Sequence, residues 1–356
     1  MNITYILGNG FDIQLGLKSR YSDFLAEYVK PKDGDSENVR AFREYLKERP
    51  NCEWWSDAEK AMGKDLGRFS DETVEVYREQ LINFQDELVE YLQTQESECS
   101  WDEAEKIRDK FAMFLRKSLS NMRVDEYRAA CSESKRYYFI SLNYTNLIDR
   151  ILQCCKNSGG NIIYKDPGRN SRVQDTLGKL CHVHGDLNSE IIMGVNDESQ
   201  LVIKPELTID NEIRWQFLKG EMGRQSPWAR DSTAKNFISQ SDLIVVYGVS
   251  YGETDARWWN EITEWLEHNP QRRLIAFIYD INDKINSRVA YVRISYENRK
   301  KEEILEKLGI SKEAAYFDIL KEQVYIADAT KGLHLRELIH PEEAIAAMKE
   351  NDKGEV

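Results

Sequence analysis

Apolar and polar positions alternate along this chain in two textures. Short apolar runs at Ile3–Leu7, Tyr137–Leu142, Asp242–Gly248, Arg273–Tyr279 and Val324–Ala327 have the near-continuous hydrophobicity of strands buried on both faces. Shorter strands are expected at Ile162–Tyr164, Leu180–His184 and Ile191–Met193. From about residue 37 to residue 131 the texture changes to helical spacing, as in Leu81, Phe84, Leu88 and Leu92, then Ile107, Phe111, Phe114, Leu115 and Leu119. Further helices are predicted at Leu15–Val29, Leu147–Cys155, Thr254–His268, Lys301–Leu308 and Ser311–Lys321, the last with Ser311 as its N-cap. Residues 196–234 read as irregular, with Trp215, Phe217 and Trp228 as aromatic anchors. Strands alternating with helices imply a doubly wound, mostly parallel Rossmann-like sheet with helices on both faces. Its core is expected to comprise residues 1–35 and 136–330, with 36–135 as a helical insertion and 331–356 as a helical tail.

Composition narrows the class. The chain has 356 residues, enough for a substantial core, and a net charge of −13. That charge argues against broad nucleic-acid binding. No apolar stretch approaches the roughly 18 residues of a membrane span, and the first residues lack a signal-peptide layout, so a cytoplasmic protein is expected. The six cysteines form no C-x-x-C pair, so buried reduced thiols are expected and no structural zinc.

Open parallel sheets bind ligands beyond the carboxyl ends of their strands, and four polar clusters fall there. The first is Gly8-Asn9-Gly10-Phe11-Asp12, a glycine turn after the first strand whose backbone N–H groups would hold phosphate. The others are Ser141-Leu-Asn143-Tyr144-Thr145-Asn146, His182-Val-His184-Gly-Asp186 and Gly248-Val-Ser250-Tyr-Gly-Glu-Thr-Asp255. Residues 8–12, Asn143, His184 and Ser250 are expected to line one pocket. His182 and His184 would point the same way on a strand and, with Asp186, make a weak metal candidate. A general-base role for one of the two histidines is the better reading.

These blocks carry a resemblance. Gly8-Asn-Gly-Phe-Asp-Ile13 with Gly16-Leu17 and Tyr21-Ser-Asp-Phe24 is similar to the opening of the AbiH family of bacterial phage-abortive-infection proteins. Ser141–Asn146, His182–Asp186 with Ile192-Met-Gly-Val-Asn-Asp197, and Tyr247–Asp255 resemble its later blocks in order, and Trp55-Ser-Asp-Ala-Glu59 resembles a further segment. More distantly, the blocks resemble sirtuins. Gly8–Leu17 follows the spacing of the sirtuin glycine motif, Asn143 and His184-Gly185 match its catalytic asparagine and histidine, and Gly248-Val-Ser250 resembles the turn that contacts the NAD ribose. Asp12 stands where sirtuins have serine, Thr145 where they have aspartate and Lys18 where they have proline, and the zinc-ribbon cysteines are missing.

What the resemblance implies is a defence effector that hydrolyses NAD to nicotinamide and ADP-ribose. His184, Asn143 and Asp12 would act in catalysis. Gly8, Asn9, Gly10, Phe11, Asp12, Tyr144, Thr145, Gly248, Ser250 and Asp255 would hold the nucleotide, with no metal. A homo-oligomer, a defence-system partner protein and a phage-derived trigger are expected around it, and no membrane. Two alternatives stand beside this: a nucleotide-binding sensor or scaffold without turnover, and a metal-dependent nuclease built on His182, His184 and Asp186.

Overall fold

The computed structural model describes residues 1–165, 173–228, 230–280, 282–331 and 333–340. Among these described residues seven strands form one sheet: β1 Asn2–Leu7, β2 Arg136–Ser141, β3 Ile162–Lys165, β4 Gln174–His182, β5 Leu243–Tyr247, β6 Arg273–Ile278 and β7 Val324–Asp328. Their order is β3-β4-β2-β1-β5-β6-β7. Only the edge pair β3–β4 is antiparallel; the other five pairs are parallel. β1 lies between β2 and β5, and the chain proceeds from β1 toward β2 on one side and from β5 toward β6 on the other. A crevice at the ends of β1 and β5 follows from that divergence.

The apolar runs form strands because both faces are covered. On one face Tyr5, Phe139 and Val245 pack under the helices Ala104–Ser118 and Leu147–Gly159. On the other, Ile6, Ile140 and Val246 pack under Arg230–Ser239, Ala256–Glu267 and Phe317–Gln323. The span 37–131 contains no strand, but its helices serve two cores. Ala104–Ser118 lies on the sheet, whereas Glu37–Lys47, Ala58–Asp65 and Val74–Ser97 form a third cluster with Leu187, Val195, Phe217 and Leu218. No helix among the described residues is long and apolar enough to cross a membrane.

Several local expectations need correction. The helix expected at Leu15–Val29 is two helices, Asn9–Leu15 and Tyr21–Tyr28, because Gly16 turns left-handed at φ 108° and caps the first. β4 begins well before Leu180, and Ile191 makes a single bridge to Gly185 instead of a strand. Residues 196–234 include the short helices Asn211–Phe217, Lys219–Gln225 and the start of Arg230–Ser239. Ser311 does not cap a helix: its hydroxyl accepts from the Glu313 N–H in a turn, and the helix starts at Phe317. The preceding helix is longer than expected, Ala290–Lys307. Of the expected tail, Arg336–Ile339 is helical and residues 341–356 lie outside the described residues.

The crevice is closed at its centre by backbone against backbone. Gly8 N–H donates to Tyr247 O at 3.0 Å and Gly10 N–H to Gly248 O at 2.8 Å. Gly248 has φ 69°, and a Cβ there would lie 2.3 Å from the Phe11 nitrogen. Gly248→Ala is therefore expected to destabilise the fold by about 3 kcal/mol, through overpacking plus left-handed strain. Gly34→Ala, also at positive φ but with nothing within 4 Å, should cost only about 1 kcal/mol. Urea unfolding of both variants checks this; equal losses would contradict it.

Candidate functional site

Asp12 lies in the helix that follows β1 and is 1% exposed. Thr145 Oγ1 donates to its Oδ2 at 2.5 Å. Burial pushes the Asp12 carboxyl up to about 7, against the bonds from Thr145 and Asn143 that favour its charge; Glu96 pushes the same way as burial. The result is a carboxyl that exchanges a proton near neutral pH, inside a cavity of about 120 Å³. Asn9, Asn143, Tyr144, Thr145, His184 and Asp255 line that cavity with it. The Asn143 side chain donates to Gly8 O at 3.1 Å, which ties the end of β2 to the glycine turn.

His184 is held on both sides. Its Nδ1 lies 3.1 Å from Leu142 O and its Nε2 lies 2.9 Å from Asp255 Oδ1. Both partners are acceptors, so the ring makes both bonds only when each nitrogen carries a hydrogen. The same Asp255 oxygen accepts from Lys219 Nζ at 2.8 Å, Lys219 reaches Glu59 at 2.8 Å, and the Tyr144 hydroxyl donates to Glu59 at 2.9 Å. Burial opposes the charge on Asp255, but Lys219 and then His184 hold its carboxyl far below the usual range. Burial likewise opposes the charge on Lys219, and the two carboxylates outweigh it and raise its pKa. A buried lysine shared by two carboxylates satisfies charges that would each be costly alone.

The expected single pocket is two spaces. Gly10, Gly248 and Ser250 line a separate cleft of about 990 Å³ that shares no lining residue with the small cavity. The wall between them is the segment from Asn9 to Arg20. It is clipped shut where Asn9 Nδ2 donates to Ser19 O at 2.9 Å and Ser19 Oγ to Asn9 Oδ1 at 2.5 Å. Gly8 and Phe11 line neither space. The expected phosphate cradle needs correction too. The N–H groups of Gly8, Gly10 and Phe11 donate to Tyr247 O, Gly248 O and Gly8 O, so those three are taken up by the protein.

The two histidines part company. His182 Nε2 lies 2.7 Å from Asp149 Oδ2, which outweighs burial and raises its pKa, and it stands outside the cavity. Asp186 accepts from the Asn188 N–H and the Ser189 hydroxyl in a turn. His182, His184 and Asp186 thus face three different sets of partners and do not converge on one ion. Among the charged residues of the network, Glu59 and Lys219 escaped the sequence reading. Glu59 had one signal, the Trp55–Glu59 block. Lys219 had none, because it sits alone in a stretch without clear periodicity.

The raised Asp12 pKa has a measurable consequence. Folded Asp12 holds its proton to about 7, whereas an ordinary aspartate ionises near 3.8. The contribution to stability is complete below pH 4 and is lost as pH rises through 7, on the order of 4 kcal/mol in total. Denaturant unfolding from pH 4 to pH 8 should show wild type losing stability relative to Asp12→Asn by that order. Parallel curves would contradict it.

A family model described as bacteriophage abortive infection AbiH matches residues 4–279, a span that takes in β1 from Thr4 onward, the whole of β2 to β6 and every residue of the small cavity. None of the curated proteins matches the chain. The matched span covers well over half of the 356 residues, and the chain belongs to the AbiH family of bacteriophage abortive-infection proteins.

Proposed function

We propose that this chain is an abortive-infection effector that hydrolyses NAD to nicotinamide and ADP-ribose, with a doubly wound, sirtuin-like core. The reading rests on Asp12, a buried carboxyl with a pKa near neutrality beside Asn143 at the end of the central strands. Cleavage of the nicotinamide–ribose bond sends the bonding pair to the pyridine, which leaves neutral, and positive charge develops on the ribose. The Asn143 amide orients the ribose or the incoming water. Water adds to the anomeric carbon, and Asp12 as carboxylate accepts its proton. A base with pKa near the working pH suits that step.

His184 fits a positioning role better than the base role expected of it, because both ring nitrogens already face acceptors. The small cavity has room for the reacting end only, since whole-ligand sites run to about 300–1,000 Å³. Glu59 joins the network from the helical stretch, so changes in that stretch reach Asp255 through Lys219. This is a route by which a phage-derived trigger, a partner protein or self-association acts on the site. The closed glycine turn favours a second reading, a nucleotide-binding sensor that does not turn over.

Incubating the purified chain with NAD and measuring free nicotinamide tests the proposal. Wild type is expected to release it, and Asp12→Asn and Asn143→Ala to slow release by about 10²–10⁴-fold. His182→Ala, outside the cavity, should stay near wild type. NAD binding without release, by wild type supplied with phage lysate, would replace the effector reading with the sensor.

A further inference from the structure

The helix Ala290–Lys307 leaves the fold as an arm. Its buried residues are Ile304 and Leu305, and none of residues 290–299 is buried. Helices draw most of their stability from packing an apolar face, and here that face is bare. Tyr291 is 80% exposed, with Val289, Val292 and Ile294 exposed beside it. From Lys284 to Lys301 six basic residues stand against one acidic residue, in a chain whose net charge is −13. Lys284 and Arg288 make no ion pair among the described residues. The arm lies beyond residues 4–279, the span that matches the family.

The helix Val74–Ser97 carries the opposite surface. Six of its residues are acidic and one is basic. Asp86 and Glu90 are exposed and make no ion pair among the described residues. Ile82, one turn before Asp86 on the same side, is 57% exposed. Leu88 and Leu92 of this helix turn inward and line the small cavity of Asp12. One chain therefore presents apolar residues within a basic stripe and an apolar residue within an acidic one. Both stripes are open to solvent, so they do not cover each other within a single copy.

We propose that the arm of one copy docks on the acidic side of the helix Val74–Ser97 of the next, joining copies head to tail. Tyr291 and Ile294 cover Ile82, and Arg288 and Arg299 stand over Asp86 and Glu90. Opposite charge steers the encounter and fixes the register, while the apolar residues supply the buried centre. Two arms packed on each other would set like charges face to face, which disfavours a symmetric pair. A contact between two different surfaces closes into a ring or runs on as a filament. Because Leu88 and Leu92 belong to the docked helix, assembly bears on the wall of the small cavity. None of the contact residues lines either space, so the contact stands or falls independently of NAD hydrolysis.

Sedimentation velocity of the full chain, at concentrations up to about 100 µM, tests it. Wild type is expected to form assemblies that come apart as salt rises from about 0.05 to 0.5 M. Tyr291→Ala should weaken association about tenfold. Reversing charge on the arm (Arg288→Glu with Arg299→Glu) or on the acidic side (Asp86→Lys with Glu90→Lys) should weaken it about 100-fold. The decisive sample is an equal mixture of the two reversed proteins. Each keeps the surface that the other has lost, so the mixture should associate although neither does alone. That recovery also shows that both variants fold. A wild type that stays monomeric throughout would overturn the proposal, as would association indifferent to both reversals or a mixture that stays monomeric while both variants melt as wild type does. A labelled single-stranded oligonucleotide tests the other occupant of a basic, aromatic surface. Its tight binding to the arm of a monomeric wild type would replace the second copy with a polyanion.

Discussion

The site geometry depends on one close approach, the backbone of Gly8–Phe11 against Gly248. Two N–H groups of the first turn are spent on the ends of β5, and neither Gly10 nor Gly248 has room for a Cβ. That contact seats the helix Asn9–Leu15 directly on the crevice. Because successive side chains of a helix point to different sides, Asn9 and Asp12 face one space while Gly10, Ile13 and Gln14 face the other. A short helix held by two glycines thus divides a shallow crevice into a small acidic cavity and a large basic cleft.

Charge in the small cavity is arranged by neighbours rather than by sequence proximity. Asp12 and Asp255 line the same 120 Å³, yet burial keeps Asp12 protonated to about 7 while Lys219 and His184 hold Asp255 ionised. Two carboxyl groups with pKa values pushed apart have different capacities, one to exchange a proton and one to anchor cations. The anchored chain from His184 through Asp255 and Lys219 to Glu59 and Tyr144 spans three parts of the fold, so the helical stretch is built into the site.

Central strands were legible in the sequence because they are buried on both faces, which makes Ile3–Leu7 and Leu243–Tyr247 almost purely apolar. β4 was read short because Thr176, Gly178 and Lys179 interrupt its pattern where it meets the antiparallel edge strand. The helix Ala290–Lys307 was read short because only its last turns are buried, at Ile304 and Leu305, while Tyr291 is 80% exposed. Asp12, Asn143 and His184 stand out in the sequence because they sit at strand ends, Asp12 and His184 close to glycine, and the structure brings all three to the lining of the small cavity. The partition into two spaces was invisible, since residues adjacent in sequence, such as Lys18 and Ser19, face opposite sides. The pairing of His184 with Asp255 was invisible too, because Asp255 comes from a turn 71 positions away in the chain.

The central claim is that a buried carboxyl at Asp12 exchanges its proton near neutral pH within this cavity. Following the ¹³C shift of the Asp12 side-chain carboxyl by NMR through a pH titration, with Asp12→Asn to assign the signal, measures that directly. A midpoint near 7 is predicted. A midpoint near the ordinary aspartate value would leave the cavity without its proton acceptor and contradict the account.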